Sequence, residues 1–276
     1  MTNGVKFLDK IRKILVTKGA NMCSDAVSLS LSGQVAIITG GSRGLGRAIA
    51  LLFAQAGANV VVNYVKNKTA AEELKEEAEK YGVEVLIEQG NIANHADCKR
   101  ILENTLRQFN KVNILVNNAG IWEPGNIGDI APDSWQRVID VNLTGVYNFT
   151  NLVVPVMKEQ KRGNIINISS RCSRRGEVGA SSYVAAKAAL NGFTRSIALE
   201  LGAYNIRANG VAPAWIYTDM VYEYLGKQGV KEKILKTIPL GRIGDPEDVA
   251  NLCLFLASDL SSYLTGETIF LTGGSI

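Results

Sequence analysis

A tyrosine and a lysine four residues apart are the side chains best suited to acid–base chemistry. Tyr183 and Lys187 lie in a helical pattern, in which residues at this spacing share one face. A phenol has an ordinary pKa of ~10, and a neighbouring ammonium favours the phenolate, so the pair could exchange a proton with a bound molecule. The spacing alone also fits a packed tyrosine beside a surface lysine, and Tyr64 and Lys68 repeat it in a loop-like stretch.

Composition excludes several other kinds of catalytic site. His95 is the single histidine of the 276 residues, so a site with several histidine ligands cannot form, and a Ser–His–Asp arrangement would depend on this residue. The four cysteines form no Cys-x-x-Cys pair, which argues against a zinc ribbon or a dithiol motif. We therefore expect no metal site, and reduced thiols in a cytoplasmic protein.

The distribution of charged and apolar residues limits the partners. Lysine and arginine together number 30 against 26 for aspartate and glutamate, and the two signs are interspersed along most of the chain. Because a nucleic-acid-binding surface would need a concentrated basic stripe, we expect no nucleic acid. No apolar run approaches the ~20 residues that span a bilayer, so we expect no transmembrane segment.

A glycine-rich turn after the first predicted strand is a second candidate site. The run from Gly40 to Gly46 opens a helix and has the spacing Gly-x-x-x-Gly-x-Gly. Glycines permit positive φ and close approach of the backbone to a ligand, while the amino end of a helix favours a pyrophosphate. The turn lacks the Gly-Lys-Ser/Thr ending of nucleoside triphosphate loops, which argues against an ATPase.

Short apolar runs alternate with longer helical patterns from Gln34 onward. Strands of a parallel sheet that is covered by helices on both faces are almost continuously apolar, as these runs are. The alternation predicts an α/β fold with a doubly wound parallel sheet of about seven strands and helices on both faces. The predicted strands are 35–39, 59–63, 83–88, 112–117, 164–169, 207–212 and 268–271, and the predicted helices are 45–56, 68–81, 96–109, 134–158, 182–203 and 246–257.

Residues 1–31 precede this pattern, and we expect them to be an extension of a single domain that spans 32–276. Val5, Leu8, Ile11 and Leu15 could line one face of a helix with basic side chains around them. Three interpretations remain: a docking or oligomerisation helix, a membrane-surface or targeting helix, and an extension without a defined role, which we favour. Met22 could also be the natural first residue.

The order of several motifs over residues 32–276 resembles the classical short-chain dehydrogenase/reductase family. The glycine-rich turn is followed by Asn117-Asn118-Ala119-Gly120 at the end of the fourth strand, by Asn142, and by Ser170, thirteen residues before Tyr183. Several separate motifs in one order are far more specific than any one of them. The resemblance implies a Rossmann-like fold and an oxidoreductase that binds a nicotinamide dinucleotide.

The resemblance also implies a catalytic tetrad of Asn142, Ser170, Tyr183 and Lys187. Tyr183 would protonate the oxygen of a ketone as hydride arrives, and Ser170 would polarise the carbonyl. Lys187 would hold the nicotinamide ribose and, together with the positive ring of the oxidised cofactor, lower the pKa of Tyr183. Asn142 would anchor the water chain that returns a proton to Tyr183.

By the same resemblance, the cofactor contacts come from the ends of several strands. NAD-preferring members carry an Asp where this chain has Tyr64, and Arg43 could donate to a 2′-phosphate, so we expect NADP(H). Two positions depart from the family, because Asn91 replaces the Asp that contacts adenine and Ala214 replaces the Gly after Pro213. The expected cofactor-binding residues are Gly40, Ser42, Arg43, Gly44, Leu45, Gly46, Tyr64, Asn91, Ile92, Asn118, Ala119, Gly120, Tyr183, Lys187, Pro213, Ile216 and Thr218.

The implied function is the NADP(H)-dependent reduction of a ketone to a secondary alcohol, and the motifs are most similar to those of 3-oxoacyl-[acyl-carrier-protein] reductases. A sugar or polyol dehydrogenase and a non-catalytic NADP(H)-binding regulator remain alternatives. The expected partners are a small-molecule or carrier-bound carbonyl substrate and further copies of the chain in a homotetramer. Arg171, Arg174 and Arg175 follow Ser170 and would attract an anionic substrate if they face the cleft.

Overall fold

The computed structural model describes residues 29–275, and within them seven strands form one parallel sheet. The strands are β1 (Val35–Ile38), β2 (Asn59–Tyr64), β3 (Val85–Gln89), β4 (Ile114–Asn117), β5 (Gly163–Ile168), β6 (Ile206–Pro213) and β7 (Thr268–Leu271). They lie side by side in the order β3-β2-β1-β4-β5-β6-β7, and every neighbouring pair runs parallel. This confirms the predicted fold class, a Rossmann-like doubly wound sheet.

Alternate residues of the central strands face two apolar cores, one on each side of the sheet. In β1, Ala36 and Ile38 pack into the first core, whereas Val35 and Ile37 pack into the second, and all four are fully buried. Because both faces of the strand are buried, apolar residues are needed at every position rather than at every second one. The continuously apolar runs of the sequence have this origin.

Helices cover both faces of the sheet. They are α1 (Gly44–Gln55), α2 (Lys68–Glu79), α3 (His95–Phe109), α4 (Pro132–Ile139), α5 (Gly145–Gln160), α6 (Cys172–Arg175), α7 (Ser181–Leu201), α8 (Asp219–Leu225), α9 (Val230–Leu235) and α10 (Pro246–Ala257). Helices α1, α2 and α10 contribute buried side chains to the first core, and α3, α5 and α7 contribute to the second.

The helix predicted over 134–158 forms as one helical run, but its hydrogen-bonding pattern changes along it. It begins as α4, passes through a π-helical turn at Asp140–Thr144, and continues as α5. The short helices α6, α8 and α9 were not predicted and lie in the segments that follow β5 and β6. A π turn inserts a residue into the helical repeat and shifts the side chains that follow it, and such turns are frequent at functional sites.

Most of the expected amino-terminal extension lies outside the described residues. Leu31, which was assigned to that extension, is fully buried in the first core, and its N–H donates to the carbonyl of Ala56 at 2.8 Å. Within residues 29–275, none of the helices is both long enough and apolar enough to cross a membrane.

The strand order reverses between β1 and β4, which are neighbours in the sheet although two strands separate them in sequence. Connections that leave the carboxyl ends of these two strands run in opposite directions and leave a crevice between them. Ligands of open α/β sheets bind in this crevice, so the fold places a binding site beside the glycine-rich turn.

Candidate active site

A cleft of about 920 Å³ lies at the carboxyl ends of the strands. Almost every residue expected to bind cofactor or substrate lines it, and the two exceptions are Gly46 and Asn142, which lie behind the lining. The lining residues among the expected set are Gly40, Ser42, Arg43, Gly44, Leu45, Tyr64, Asn91, Ile92, Asn118, Ala119, Gly120, Ser170, Tyr183, Lys187, Pro213, Ile216 and Thr218. Motifs that are far apart in the sequence therefore share one cavity.

The glycine-rich turn is held by a buried asparagine of β2. Asn63 accepts from the N–H of Gly40 through Oδ1 at 3.3 Å and from that of Gly41 through its carbonyl oxygen at 2.8 Å. Its Nδ2 donates to the carbonyl of Gly90 at 2.8 Å, so one side chain joins the turn to the end of β3. We did not predict this role for Asn63, although a polar residue in an otherwise apolar strand was a signal for it.

A second set of hydrogen bonds joins the turn to β4. Asn118 Nδ2 donates to the carbonyls of Thr39 and Gly40 at 2.9 and 3.1 Å. Thr39 Oγ1 accepts from the N–H groups of Asn118 and Ala119, each at 3.0 Å. A Cβ at Gly46 would lie 2.6 Å from Asn118 Nδ2, so only glycine allows this approach. Gly46 therefore supports the position of the turn against Asn118 without lining the cleft itself.

The turn fits a pyrophosphate. Gly40 and Gly44 have φ of +62° and +53°, a conformation that favours glycine. Helix α1 begins at Gly44 with no acidic residue in its first turn and no side chain capping its amino end. Its first N–H groups and the positive end of its dipole therefore remain available to an anion.

Tyr183 and Lys187 lie near the start of α7 and face the end of β5. Lys187 is 3% exposed, and its Nζ lies 5.6 Å from the centre of the Tyr183 ring and donates to the carbonyl of Ile168 at 2.7 Å. The hydroxyl of Ser170 forms a hydrogen bond with the Tyr183 phenol and accepts from the N–H of Cys172 at 3.4 Å. Three of the four expected catalytic groups thus converge.

Burial dominates the electrostatics of this group. It raises the pKa of the Tyr183 phenol, the nearby Cys172 thiol raises it further, and the hydrogen bond from Ser170 opposes both. Burial also lowers the pKa of Lys187 to about 8. Without the cofactor, desolvation therefore dominates, because it penalises the charged form of each group. The lowering expected with the oxidised cofactor bound stays a prediction.

The π-helical turn places Asn142 beside Gly120, close to Lys187. Asn142 Nδ2 donates to the carbonyls of Ile121 and Val138 at 2.8 and 2.9 Å, and Oδ1 accepts from the N–H of Ile121 at 3.3 Å. A Cβ at Gly120 would lie 2.6 Å from Asn142 Oδ1 and 3.5 Å from Lys187 Nζ. The absence of a side chain at Gly120 therefore allows the asparagine and the lysine to approach the end of β4 together.

Comparisons with known proteins agree with this geometry. The family model described as enoyl-(acyl carrier protein) reductase matches residues 40–275. A 3-oxoacyl-[acyl-carrier-protein] reductase of Synechocystis sp. is 43% identical over 248 residues, which are 90% of this chain and 98% of that protein. One from Thermotoga maritima is 41% identical over 90% of this chain and 100% of its own length. The chain belongs to the short-chain dehydrogenase/reductase family.

A solved structure supports the same assignment. The structure of a 7α-hydroxysteroid dehydrogenase complexed with NADH and 7-oxo glycochenodeoxycholic acid has a TM-score of 0.86 to this chain. It is 33% identical and covers 90% of this chain and 96% of that one. The resemblance expected from the motifs is thus confirmed, and the chain is an oxidoreductase of this family with a nicotinamide cofactor.

The cleft of this short-chain dehydrogenase/reductase carries no carboxylate at the end of β2. Tyr64 occupies that position and is 5% exposed. Arg43 is exposed, and its Nη1 lies 3.4 Å from a carboxylate oxygen of Asp219 at the start of α8. Lys68 pairs with Glu72 on α2 at 3.3 Å, so the second Tyr-x-x-x-Lys pattern forms no site with Tyr64.

The three arginines after Ser170 take different positions. Arg171 is buried and lines the cleft, whereas Arg174 and Arg175 are not among the residues that line it. The guanidinium of Arg174 lies 5.4 Å from the ring centre of Phe270, and that of Arg175 pairs with Glu177 at 3.3 Å. Of the three arginines, only Arg171 lines the cleft and could attract an anionic substrate there.

Metal-binding side chains do not gather in the described part of the chain. Among residues 29–275, no three of histidine, cysteine, aspartate and glutamate lie close enough together to hold a metal ion.

Proposed function

We propose that this short-chain dehydrogenase/reductase reduces a ketone to a secondary alcohol with NADPH. The observation that carries the proposal is the convergence of the Ser170 hydroxyl and the Tyr183 phenol beside Lys187 in the cofactor cleft. When bound, the nicotinamide supplies the hydride. Ser170 donates to the ketone oxygen, and Tyr183 gives it a proton as negative charge develops there.

Reduction requires the phenol of Tyr183 to begin with its proton. The raised pKa keeps this phenol protonated at neutral pH, although it also makes the phenol a weaker acid. Lys187 holds the nicotinamide ribose in this proposal, and its ammonium group stabilises the phenolate that remains after proton transfer. Asn142 anchors the path by which a proton returns to Tyr183.

The preference for NADPH rests on the adenosine end of the cleft. Tyr64 brings no negative charge to repel a 2′-phosphate, and Lys66 and Asn67 line the cleft beside it. The guanidinium of Arg43 can exchange Asp219 for the phosphate, because the pair is exposed and such pairs contribute little stability. Asn91 contacts the adenine as a neutral side chain.

The substrate class that we favour is a 3-oxoacyl thioester of an acyl carrier. The two curated relatives described above are reductases of this kind. The substrate part of the cleft is lined by apolar side chains, including Trp122, Val178 and Trp215, which suit an acyl chain better than a sugar. A complete set of catalytic groups also argues against a role restricted to binding the cofactor.

We propose a homotetramer as the functional assembly. Tyr147 on α5 and Leu199 on α7 are 51% and 82% exposed, although both side chains are large and partly or wholly apolar. Burial of such residues against further copies of the chain would remove apolar surface from water. Size-exclusion chromatography with light scattering tests this assembly, and a monomeric mass would contradict it.

Replacement of Tyr183 tests the proposed reaction. Tyr183→Phe removes one oxygen, so the fold and NADPH binding should persist while reduction slows by ~10²–10⁴-fold, as expected for the loss of a general acid. Single-turnover oxidation of NADPH by an acetoacetyl thioester measures the step, and cofactor fluorescence measures binding. Tyr81→Phe, at an exposed tyrosine after α2, is the matched control. Normal hydride transfer in Tyr183→Phe would contradict the mechanism.

A further inference from the structure

The side chain of Asn91 lies where the fold directs the base of a bound dinucleotide. The pyrophosphate belongs at the glycine-rich turn after β1, and the ribose that follows it belongs at the end of β2, which is Tyr64. The next strand outward is β3, from which the chain continues through Gly90 to Asn91. The N–H of Gly90 donates to the carbonyl of Tyr64 at 2.9 Å, and both Tyr64 and Asn91 line the cleft. The base attached to this ribose is therefore expected beside Asn91.

Most of the polar groups of Asn91 are already engaged by the protein. Its backbone N–H donates to a carboxylate oxygen of Asp97 at 2.8 Å, and its backbone carbonyl accepts from the N–H of Asn94 at 2.8 Å. Its side-chain oxygen Oδ1 accepts from the N–H of Ala93 at 3.1 Å. Nothing among residues 29–275 accepts a hydrogen bond from Nδ2. The amide nitrogen is therefore the group of Asn91 that is left for a ligand.

The same contacts fix the orientation of the amide. Only the oxygen of an amide side chain can accept from a backbone N–H, so the bond from Ala93 holds Oδ1 toward the chain and leaves Nδ2 on the other side. The hydrogen bond from the N–H of Asn91 lowers the pKa of Asp97, so the carboxylate that holds this backbone stays charged at neutral pH. The exposed side chain thus offers the cleft a hydrogen-bond donor.

We propose that Asn91 donates to the base of the cofactor through Nδ2, and that it thereby favours an acceptor over an amino group at position 6 of the purine. This rests on the proposed binding of NADPH and adds the recognition of its base. The 6-amino group of adenine only donates, so Nδ2 can reach a ring nitrogen of adenine but not this group. Hypoxanthine carries a carbonyl oxygen at the same position, which accepts.

An aspartate at position 91 should have the opposite preference. A carboxylate only accepts, so its second oxygen would pair with the 6-amino group of adenine and repel the carbonyl oxygen of hypoxanthine. Its first oxygen can still accept from the N–H of Ala93, as Oδ1 of Asn91 does. The exchange of Asn91 for Asp therefore reverses one hydrogen bond to the base and keeps the local turn.

Two cofactors and three variants test this role. NADPH is compared with deamino-NADPH, its hypoxanthine analogue, and fluorescence titration of the reduced nicotinamide gives the Kd of each. The measured quantity is the Kd for deamino-NADPH divided by the Kd for NADPH, so that effects of charge or folding common to both cofactors cancel. The variants are Asn91→Asp, Asn91→Ala and the control Asn94→Asp. Asn94 also accepts from a backbone N–H, that of Ala96 at 2.9 Å, but lies outside the cleft lining.

The ratio should rise about tenfold from the wild-type protein to Asn91→Asp, because a hydrogen bond to hypoxanthine is lost and one to the amino group of adenine is gained. Asn91→Ala, which offers the base neither a donor nor an acceptor, should give an intermediate ratio. Asn94→Asp should keep the wild-type ratio, since its added charge does not meet the base.

The results that overturn the proposal are distinct from failure of the reductase function. A ratio in Asn91→Asp that is equal to or below the wild-type ratio would overturn it, as expected if Oδ1 uses its second lone pair for the amino group. An equal rise in Asn94→Asp would also overturn it, by assigning the effect to charge alone. Both results leave NADPH binding and ketone reduction standing. If the wild-type protein binds neither cofactor, the proposed function and the role of Asn91 fall together.

Discussion

Replacing Lys187 with methionine should stabilise the folded protein at neutral pH while impairing reduction. The lysine is buried, and burial lowers its pKa from 10.5 to about 8, so the folded protein holds an ammonium at neutral pH against a desolvation penalty. Methionine has a similar length and no charge. The substitution therefore removes a cost of folding together with a group that the proposed reaction needs.

The size of the effect follows from the pKa and from one hydrogen bond. A pKa lowered from 10.5 to about 8 corresponds to about 3 kcal/mol at ~1.4 kcal/mol per unit. Loss of the bond from Nζ to the carbonyl of Ile168 costs ~1 kcal/mol. The remaining gain of ~2 kcal/mol should raise the melting temperature by roughly 4–8 °C in a chain of this size.

The gain should depend on pH with a definite sign. Since the folded-state pKa of Lys187 lies below the unfolded value, the unfolded chain holds more protons between about 8 and 10.5. Wild-type stability relative to Lys187→Met therefore rises with pH across this window. The advantage of the variant is full below pH ~8 and is lost by pH ~10.5.

Thermal unfolding followed by circular dichroism measures this difference from about pH 7 to pH 10, without cofactor. Lys99→Met is the control, because Lys99 lies on α3 with 62% of its side chain exposed and should change the melting temperature little at any pH. A variant that melts below the wild-type protein at neutral pH would refute the reasoning. So would a gain that stays constant as the pH rises.

Two further substitutions probe the cofactor cleft. Arg43→Ala should raise the Kd for NADPH about tenfold and leave the Kd for NADH unchanged, because only the contact to the 2′-phosphate is lost. Fluorescence titration measures both Kd values, and equal increases in the two would contradict that contact. Gly120→Ala places a methyl group 2.6 Å from Asn142 Oδ1 and 3.5 Å from Lys187 Nζ. The kcat should fall by roughly 10²-fold, while thermal unfolding should remain cooperative. An unchanged kcat would show that the close approach of Asn142 and Lys187 to Gly120 is dispensable.

The strands, the doubly wound parallel sheet and the glycine-rich turn could be predicted because each depends on a local pattern. A strand that is buried on both faces must be apolar throughout, as β1 is, and a turn that holds a pyrophosphate needs glycine at Gly40 and Gly44. The carboxyl ends of parallel strands then meet at one edge of the sheet. Ser170 and Tyr183 come together for this reason, although thirteen residues separate them.

The supports of the site could not be predicted in the same way. The π turn at Asp140–Thr144 lies in a segment whose periodicity indicates one continuous helix, and the carbonyls that hold Asn142 are set by tertiary contacts. Helices α8 and α9 are short, and their apolar residues pack in a small separate core with Trp215. The pattern of apolar residues in these segments is too short to distinguish a helix from a loop.

The pKa of Tyr183 without cofactor depends on burial, which the spacing of Tyr183 and Lys187 does not reveal. Four residues of helix place an ammonium near the phenol, and proximity alone predicts a lowered pKa. Lys187 is buried and Tyr183 is partly buried, and desolvation then acts against the phenolate and the ammonium alike. In the proposed reaction the phenol starts with its proton, which a raised pKa preserves, but the same rise makes it a weaker acid. The proposed mechanism therefore needs positive charge beside the phenolate as the proton leaves, and Lys187 is the group proposed to supply it.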